Sequence, residues 1–230
     1  MTALQPPDVR PPELQQERTL LIACGALARE IVTMIRVNAW RHLTVSCLPA
    51  SWHNTPDKIP EGVRRRIREA RGRYDHILVL YGDCGTGGQL DEVLAEEGVE
   101  RIAGPHCYSF FAGNETFDAM AEAEPAAFYL TDYLVRHFDR LIIKGLGLDR
   151  HPQLLELYFG NYRKLVYLAQ TEDDELQARA RAAAERLGLD YDYRFTGYGG
   201  LGRFIDPRID LEEIREQAEA ERPEVAAWLS

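Results

Sequence analysis

The chain has 230 residues, a formal net charge of -10, 45% hydrophobic and 28% charged residues. It is long enough to bury a substantial core, and its acidity argues against general nucleic-acid binding, which needs a basic surface. No apolar run approaches the roughly 20 residues of a membrane helix, so no membrane span is expected.

Residues 1 to 18 carry Pro6, Pro7, Pro11 and Pro12 among polar residues and read as a disordered or extended arm. The start also lacks the basic residues and apolar core of a secretory signal, which points to the cytoplasm. In that compartment the four cysteines are candidates for metal ligation, redox work or packing and are not expected to form disulfides. Residues 19 to 230 are read as a single α/β domain. Thr19 to Cys24 is a short apolar run closed by Gly25, the pattern of a buried parallel strand. Leu27, Ile31, Met34 and Ile35 follow at helical spacing, and Leu43 to Leu48 supplies a second strand ended by Pro49. Ser51 to Pro56 is a loop before a helix crowded with Arg64, Arg65, Arg66, Arg68, Arg71 and Arg73. That helix reads first as a solvated face and secondly as a docking patch for an acidic partner.

His76 to Tyr81 is the third strand. A helix with Leu90, Val93 and Leu94 inward closes at Gly98, and Val99 to Ala103 is a short fourth strand. The alternation predicts a doubly wound, mostly parallel sheet with helices on both faces, a Rossmann-like α/β fold. The second half is less regular. It offers an extended segment over Phe128 to Thr131, helices near Asp132 to Phe138 and Pro152 to Tyr162, and a strand at Lys164 to Ala169. A strong helix over Asp174 to Leu187 follows, then a strand from Tyr191 to Thr196 and a terminal helix over Leu211 to Ala220.

The stretch Leu78 to Gly88 organises the rest, because its apolar strand stops at Asp83-Cys84 and gives way to glycines. Ligands in open α/β sheets gather at the carboxyl ends of strands. Cys24 and Cys84 both sit at such ends, and Cys107 leaves the fourth strand on the same edge, so three sulfurs are expected to converge. Helix amino-termini favour the thiolate, and thiolate groups select zinc, cuprous copper or iron-sulfur centres. His53 and His106 are candidate fourth ligands, with Asp83 as an oxygen alternative. Gly25, Gly82, Gly85 and Gly87 would let backbone and ligand approach closely. Glu30, Asp83 and His151 are candidate acid-base groups, His151 within the charged cluster Lys144 to His151. Packing of small buried cysteines at strand ends is the competing reading.

Two glycine motifs exclude more than they support. Gly82 to Gln89 has no Lys-Ser or Lys-Thr to hold a triphosphate and magnesium. Gly197 to Gly202 has dinucleotide-type spacing but no expected helix after it, so it reads as a glycine-rich turn.

Several signatures carry a family resemblance: Ala23-Cys-Gly-Ala26 with Glu30, Tyr81-Gly-Asp-Cys-Gly85, and His106-Cys107 followed by Phe110, Phe111 and Gly113. Gly147 to Pro152, Tyr158 to Tyr162 and Tyr167 to Gln170 extend it. From about Thr19 to Phe204 the chain resembles the bacterial and archaeal family catalogued as domain of unknown function 1638. Where that family often reads His-Asp-Cys, this chain has Pro105-His-Cys107. The resemblance implies a metal- or iron-sulfur-binding protein of corrinoid-dependent methyl transfer, within or accessory to a split methionine synthase system. It implies zinc or an iron-sulfur cluster as cofactor and a corrinoid supplied by a partner protein. The expected partners are a corrinoid protein, a methyltransferase or activator component, and a small-molecule substrate. The alternative reading is a binding or regulatory module for an anionic small molecule, with structural cysteines.

Overall fold

A computed structural model describes residues 17–205. The expected N-terminal arm, up to Gln16, and the helix expected over Leu211 to Ala220 lie outside the described residues. Two all-parallel sheets with helices about them make the α/β fold. The first has the order β2-β1-β3-β4, built from β1 (Thr19–Cys24), β2 (Leu43–Leu48), β3 (His76–Leu80) and β4 (Glu100–Arg101). The second has the order β5-β6-β7, from β5 (Ala127–Thr131), β6 (Lys164–Ala169) and β7 (Asp190–Phe195).

Alternation along the strands divides the first sheet into two buried faces. Leu21, Ala23 and Leu80 pack with Leu27, Ile31 and Met34, the last two from α1 (Ala28–Val37). Leu20, Ile22, Val79 and Tyr81 pack with Ile59, Val63 and Ile67 of α2 (Ile59–Ala70) and with Leu90 and Leu94 of α3 (Gln89–Glu97). A period of two sends successive side chains to opposite faces, so both faces of a doubly covered strand must be apolar. β1, buried along nearly its whole length, meets that demand.

Half of the arginines in and just after α2 turn toward α3. Glu97, only 8% exposed, accepts from Arg68 Nε at 2.8 Å and Arg71 Nη2 at 3.0 Å, while Arg64 reaches Glu96 at 2.5 Å. Three of the six arginines thus hold one helix to another.

One wedge joins the two sheets. The stretch from Cys107 to Ala123 forms two helices that sequence patterning does not reveal, α4 (Cys107–Ala112) and α5 (Asn114–Ala123). Phe110 and Phe111 of α4 enter the core of the first sheet. Tyr108 and Ala112 of the same helix pack with Phe117 of α5 against Tyr129, Val166 and Leu168 of the second sheet. The other face of the second sheet is covered by α6 (Asp132–Arg136), a π-helical turn (Asp139–Lys144), α7 (Leu154–Phe159) and α8 (Asp174–Leu187). Asp173 caps α8 by accepting from the Glu175 and Leu176 backbone N–H groups at 3.1 and 3.2 Å, and Gly188 ends it at φ 71°.

The glycine-rich stretch near residue 200 corrects an expectation. It opens a helix, α9 (Gly199–Ile205), that packs on α4. A Cβ on Gly199 would lie 1.8 Å from the Phe111 carbonyl oxygen, so the glycine permits backbone contact between helices. No helix among the described residues is long and apolar enough to cross a membrane.

Candidate functional site

The carboxyl ends of β1 and β3 face the carboxyl end of β5 across a narrow cavity of about 40 Å³. Cys24 from the end of β1, Cys84 from the loop after β3 and Cys107 from the start of α4 all line it, so three thiols far apart in sequence share one space.

Local backbone chemistry puts each sulfur there. Cys24 ends β1 and caps the 3-10 turn Gly25–Leu27, its Sγ accepting from the Ala26 N–H at 3.5 Å. Gly25 lets that turn close on the exit of β2, since a Cβ would lie 3.1 Å from the Leu48 carbonyl oxygen. Cys84 adopts φ 48°, a left-handed conformation rare for a residue with a side chain, and its N–H donates to the Pro105 carbonyl at 3.0 Å. Two residues earlier, Gly82 admits the loop before α4 so closely that a Cβ would meet His106 Cα, His106 N and the Pro105 oxygen at 2.9 Å. This clamp brings the exit of β3, with Cys84, against the start of α4, with Cys107.

Asp83 and the glycines after it form a self-contained turn. The carboxylate accepts from Thr86 Oγ1 at 2.7 Å and from the Gly88 and Gly87 N–H groups at 2.9 and 3.3 Å. The Gly88 and Thr86 bonds come first in holding its pKa below the usual carboxylate range. Those backbone donors would be the groups to cradle a phosphate, and the protein's own carboxylate takes them. Neither Asp83, Gly25, Gly85 nor Gly87 lines the cavity; Gly82 does.

The thiols are neutral at physiological pH. Burial, and then the nearby Cys24, push Cys84 up to about 11. Burial likewise raises Cys24 and carries Cys107 well above the ordinary value. The expectation that helix amino-termini would favour thiolates is therefore overturned. Cys24 opens a three-residue turn, Cys107 a six-residue helix, and Cys84 stands five positions before α3 begins. Such short or distant dipoles do not match the cost of burying charge. Cys47 sits within β2, beside Ala23 of β1, and is raised to about 11 chiefly by burial. It is a packing residue off the cavity.

The remaining candidates divide. His53, in the 3-10 turn Ala50–Asn54, lines the cavity; protein packed around its ring, and then His106, hold its pKa below the usual value, so it is neutral at pH 7. His106 lies outside the lining, its ring centroid 6.1 Å from Tyr108 and 6.5 Å from Phe117, with a buried Nδ1 that has no hydrogen-bond partner. Glu30, 4% exposed, is not part of the cavity lining, and its Oε2 has no hydrogen-bond partner. Burial raises its pKa to about 7, with Asp132 adding to the rise and Arg136 and Arg29 opposing it. His151 is exposed before α7 and does not line the cavity.

Sequence reasoning passed over the rest of the wall. Tyr108, Phe110 and Phe111 of α4 and Tyr133 of α6 give it an aromatic side. Tyr81, just past β3, lines it, 2% exposed, with a buried hydroxyl directed at the Cys24 sulfur without a well-formed hydrogen bond. Tyr81 was in view as a strand residue at the end of an apolar run; its polar tip was the available signal. Across from it, at the edge of the second sheet, Asp132 accepts from Tyr167 Oη at 2.7 Å, the Gln170 N–H at 2.9 Å and Thr171 Oγ1 at 2.6 Å.

Thiols and an imidazole are suitable donors for a soft metal. Their placement about one cavity fits that use. Among the described residues, no group of three or more His, Cys, Asp or Glu side chains is gathered to hold a metal ion.

A family model described as "Protein of unknown function (DUF1638)" matches residues 47–205. The match takes in Cys84 and Cys107, while Cys24 and Glu30 precede it. No curated protein matches the chain.

Proposed function

We propose, from the premise that this chain belongs to the DUF1638 family, that it binds a soft metal ion or cluster through Cys24, Cys84 and Cys107 and serves corrinoid-linked methyl transfer. The setting rests on the family resemblance. The metal rests on one observation: three thiols, from the end of β1, the loop after β3 and the start of α4, line a single cavity whose lining contains no Lys, Arg, Asp or Glu.

Neutral thiols agree with this use. Three buried thiolates without a cation would repel one another in a low dielectric, so each keeps its proton until a cation arrives. Binding then requires the three sulfurs to lose protons and move closer, with His53 as the imidazole on the same wall. A bound metal would supply a sulfur kept deprotonated at neutral pH. The residues around the thiols exclude water: Leu27, Ile59, Leu80, Phe110 and Phe111 close the cavity with apolar surface. A corrinoid protein, or a methyltransferase or activator component, would be the partner.

An anionic ligand finds less support. The lining offers no cationic side chain, and Asp83 occupies the glycine-turn donors.

Anaerobic titration with zinc or ferrous ion and sulfide tests the reading. Expected is uptake with release of two to three protons per site, and stronger binding as pH rises. Single Ser replacements at Cys24, Cys84 and Cys107 should each weaken uptake at least tenfold, whereas Cys47→Ser should not. Equal uptake by the triple serine variant would overturn the proposal.

A further inference from the structure

We infer that access to the three thiols is gated: the 3-10 turn Ala50–Asn54 swings away from the π-helical turn Asp139–Lys144, and the hydrogen bond that Asn54 Nδ2 donates to the Leu141 carbonyl, at 3.4 Å, is the latch. The inference concerns what can reach the sulfurs and does not depend on what they bind.

The size of the cavity makes an opening step necessary. About 40 Å³ has room for a few water molecules at most, less than a metal ion with its hydration shell or any organic reagent needs. Cys84, in its wall, is only 8% exposed. Anything larger than water must therefore wait for the wall to part. His53 and Leu141 both line the cavity, and the latch beside them lies at its outer rim, since Asn54 is exposed and Leu141 half-buried.

That rim is a weak seam. None of the five residues of the 3-10 turn is buried. On one side Trp52 seats the turn against Gly62 of α2, where a Cβ would lie 2.3 Å from the indole ring. On the other, the Asn54 amide fits beside Gly145, where a Cβ would come within 3.1 Å of Nδ2, and reaches the Leu141 carbonyl. Among the described residues no other hydrogen bond joins the two turns. The π-helical turn, a form that recurs at functional sites, is held to the core of the second sheet by Ile142 and Ile143, so the 3-10 turn is the part that moves. A segment with little buried surface, held by one exposed hydrogen bond longer than the usual 2.9–3.0 Å, opens at far lower free energy than the whole fold.

Metal-free protein should be alkylated with iodoacetamide under native conditions at one fixed pH, and the rate at each cysteine read by peptide mass spectrometry. Asn54→Ala removes the latch and should speed modification of Cys84 roughly three- to tenfold, the range one net hydrogen bond supplies when opening precedes reaction. Asn54→Asp, whose carboxylate cannot donate to the carbonyl, should do at least as much. Cys47, off the cavity, should react at its wild-type rate in both variants. Should Asn54→Ala not fold, Asn54→Asp decides. Cys84 rates unchanged from wild type would overturn the gate. So would a Cys47 rate that rises as much as that of Cys84, because it signals a general loosening of the fold. No metal takes part in this measurement, so a failed gate leaves the metal proposal standing and a failed metal titration leaves the gate standing.

Discussion

At the carboxyl end of the second sheet, Asp132 is 1% exposed and both of its oxygens are matched, Oδ1 by Tyr167 and the Gln170 backbone and Oδ2 by Thr171. Facing it, at the carboxyl ends of β1 and β3, no such network forms: the buried Tyr81 hydroxyl has the Cys24 sulfur as its weak acceptor, and the thiols are surrounded by apolar wall. The two edges have the same topological position and opposite chemistry. A saturated network locks its sheet edge into one arrangement, because any shift breaks several bonds at once. Weakly paired groups of the same burial lower stability and gain it back only when something binds. The second sheet edge therefore acts as the fixed jaw and the first as the receptive one.

Breaking the fixed jaw should have the largest effect. Asp132→Ala strands the donors of Tyr167, Gln170 and Thr171 in a dry site and should cost about 3–5 kcal/mol in chemical denaturation. Metal uptake per folded molecule should nevertheless persist, since Asp132 donates nothing to the thiol cavity. If uptake were lost in folded protein, the division between the jaws would fail.

Next in size is the pH dependence carried by Glu30. Its folded pKa of about 7 stands above the ordinary 4.5, so the folded state binds the proton more tightly than the unfolded chain. That contribution is fully present below about pH 4.5 and is lost as pH rises through 7. The loss amounts to on the order of 3 kcal/mol. Denaturation at pH 5 and pH 8 should show wild type losing more stability than Glu30→Gln by roughly that amount; parallel profiles would show that Glu30 is not held protonated.

The clamp between the loops comes third. Gly82→Ala places a Cβ 2.9 Å from the backbone of His106 and Pro105, where no flexible side chain can yield, and should cost about 1–3 kcal/mol. Because the clamp sets Cys84 against Cys107, it should also weaken metal uptake. Gly88→Ala makes an instructive control. A Cβ there meets nothing within 4 Å, so only the strain of its φ of 88° remains.

Much of this fold was legible because β1, β2, β3 and β6 are apolar runs bounded by breakers, and α8 is alanine-rich with a terminal glycine. The convergence of Cys24, Cys84 and Cys107 followed from parallel topology alone. The split into two sheets was not legible, because α4 is a six-residue helix whose tyrosine and phenylalanines serve two cores at once and leave no single apolar stripe. Nor was α9, where glycines that usually end helices instead allow one to touch another. The protonation of the thiols was misread for a related reason: position at a strand end is a sequence property, whereas burial is set by α4 and α6 arriving from far along the chain.

The smallest expected effect bears most directly on how the receptive jaw is built. Cys84 is 8% exposed and holds φ 48°, a conformation that costs a residue with a Cβ roughly 1–2 kcal/mol relative to right-handed backbone. At an ordinary position Ala is more stable than Gly by up to about 1 kcal/mol. At residue 84 the order should reverse: Cys84→Gly should exceed Cys84→Ala in stability by about 1 kcal/mol, both having lost the thiol. Comparing the two variants with each other, not with wild type, cancels the packing of the sulfur and isolates the backbone. A reversed order would mean that the chain tolerates local strain to aim this sulfur at the cavity, as strained residues at binding sites do. The ordinary order would mean that the backbone relaxes at no cost, and Cys84 would lose its claim to be held in place for a ligand.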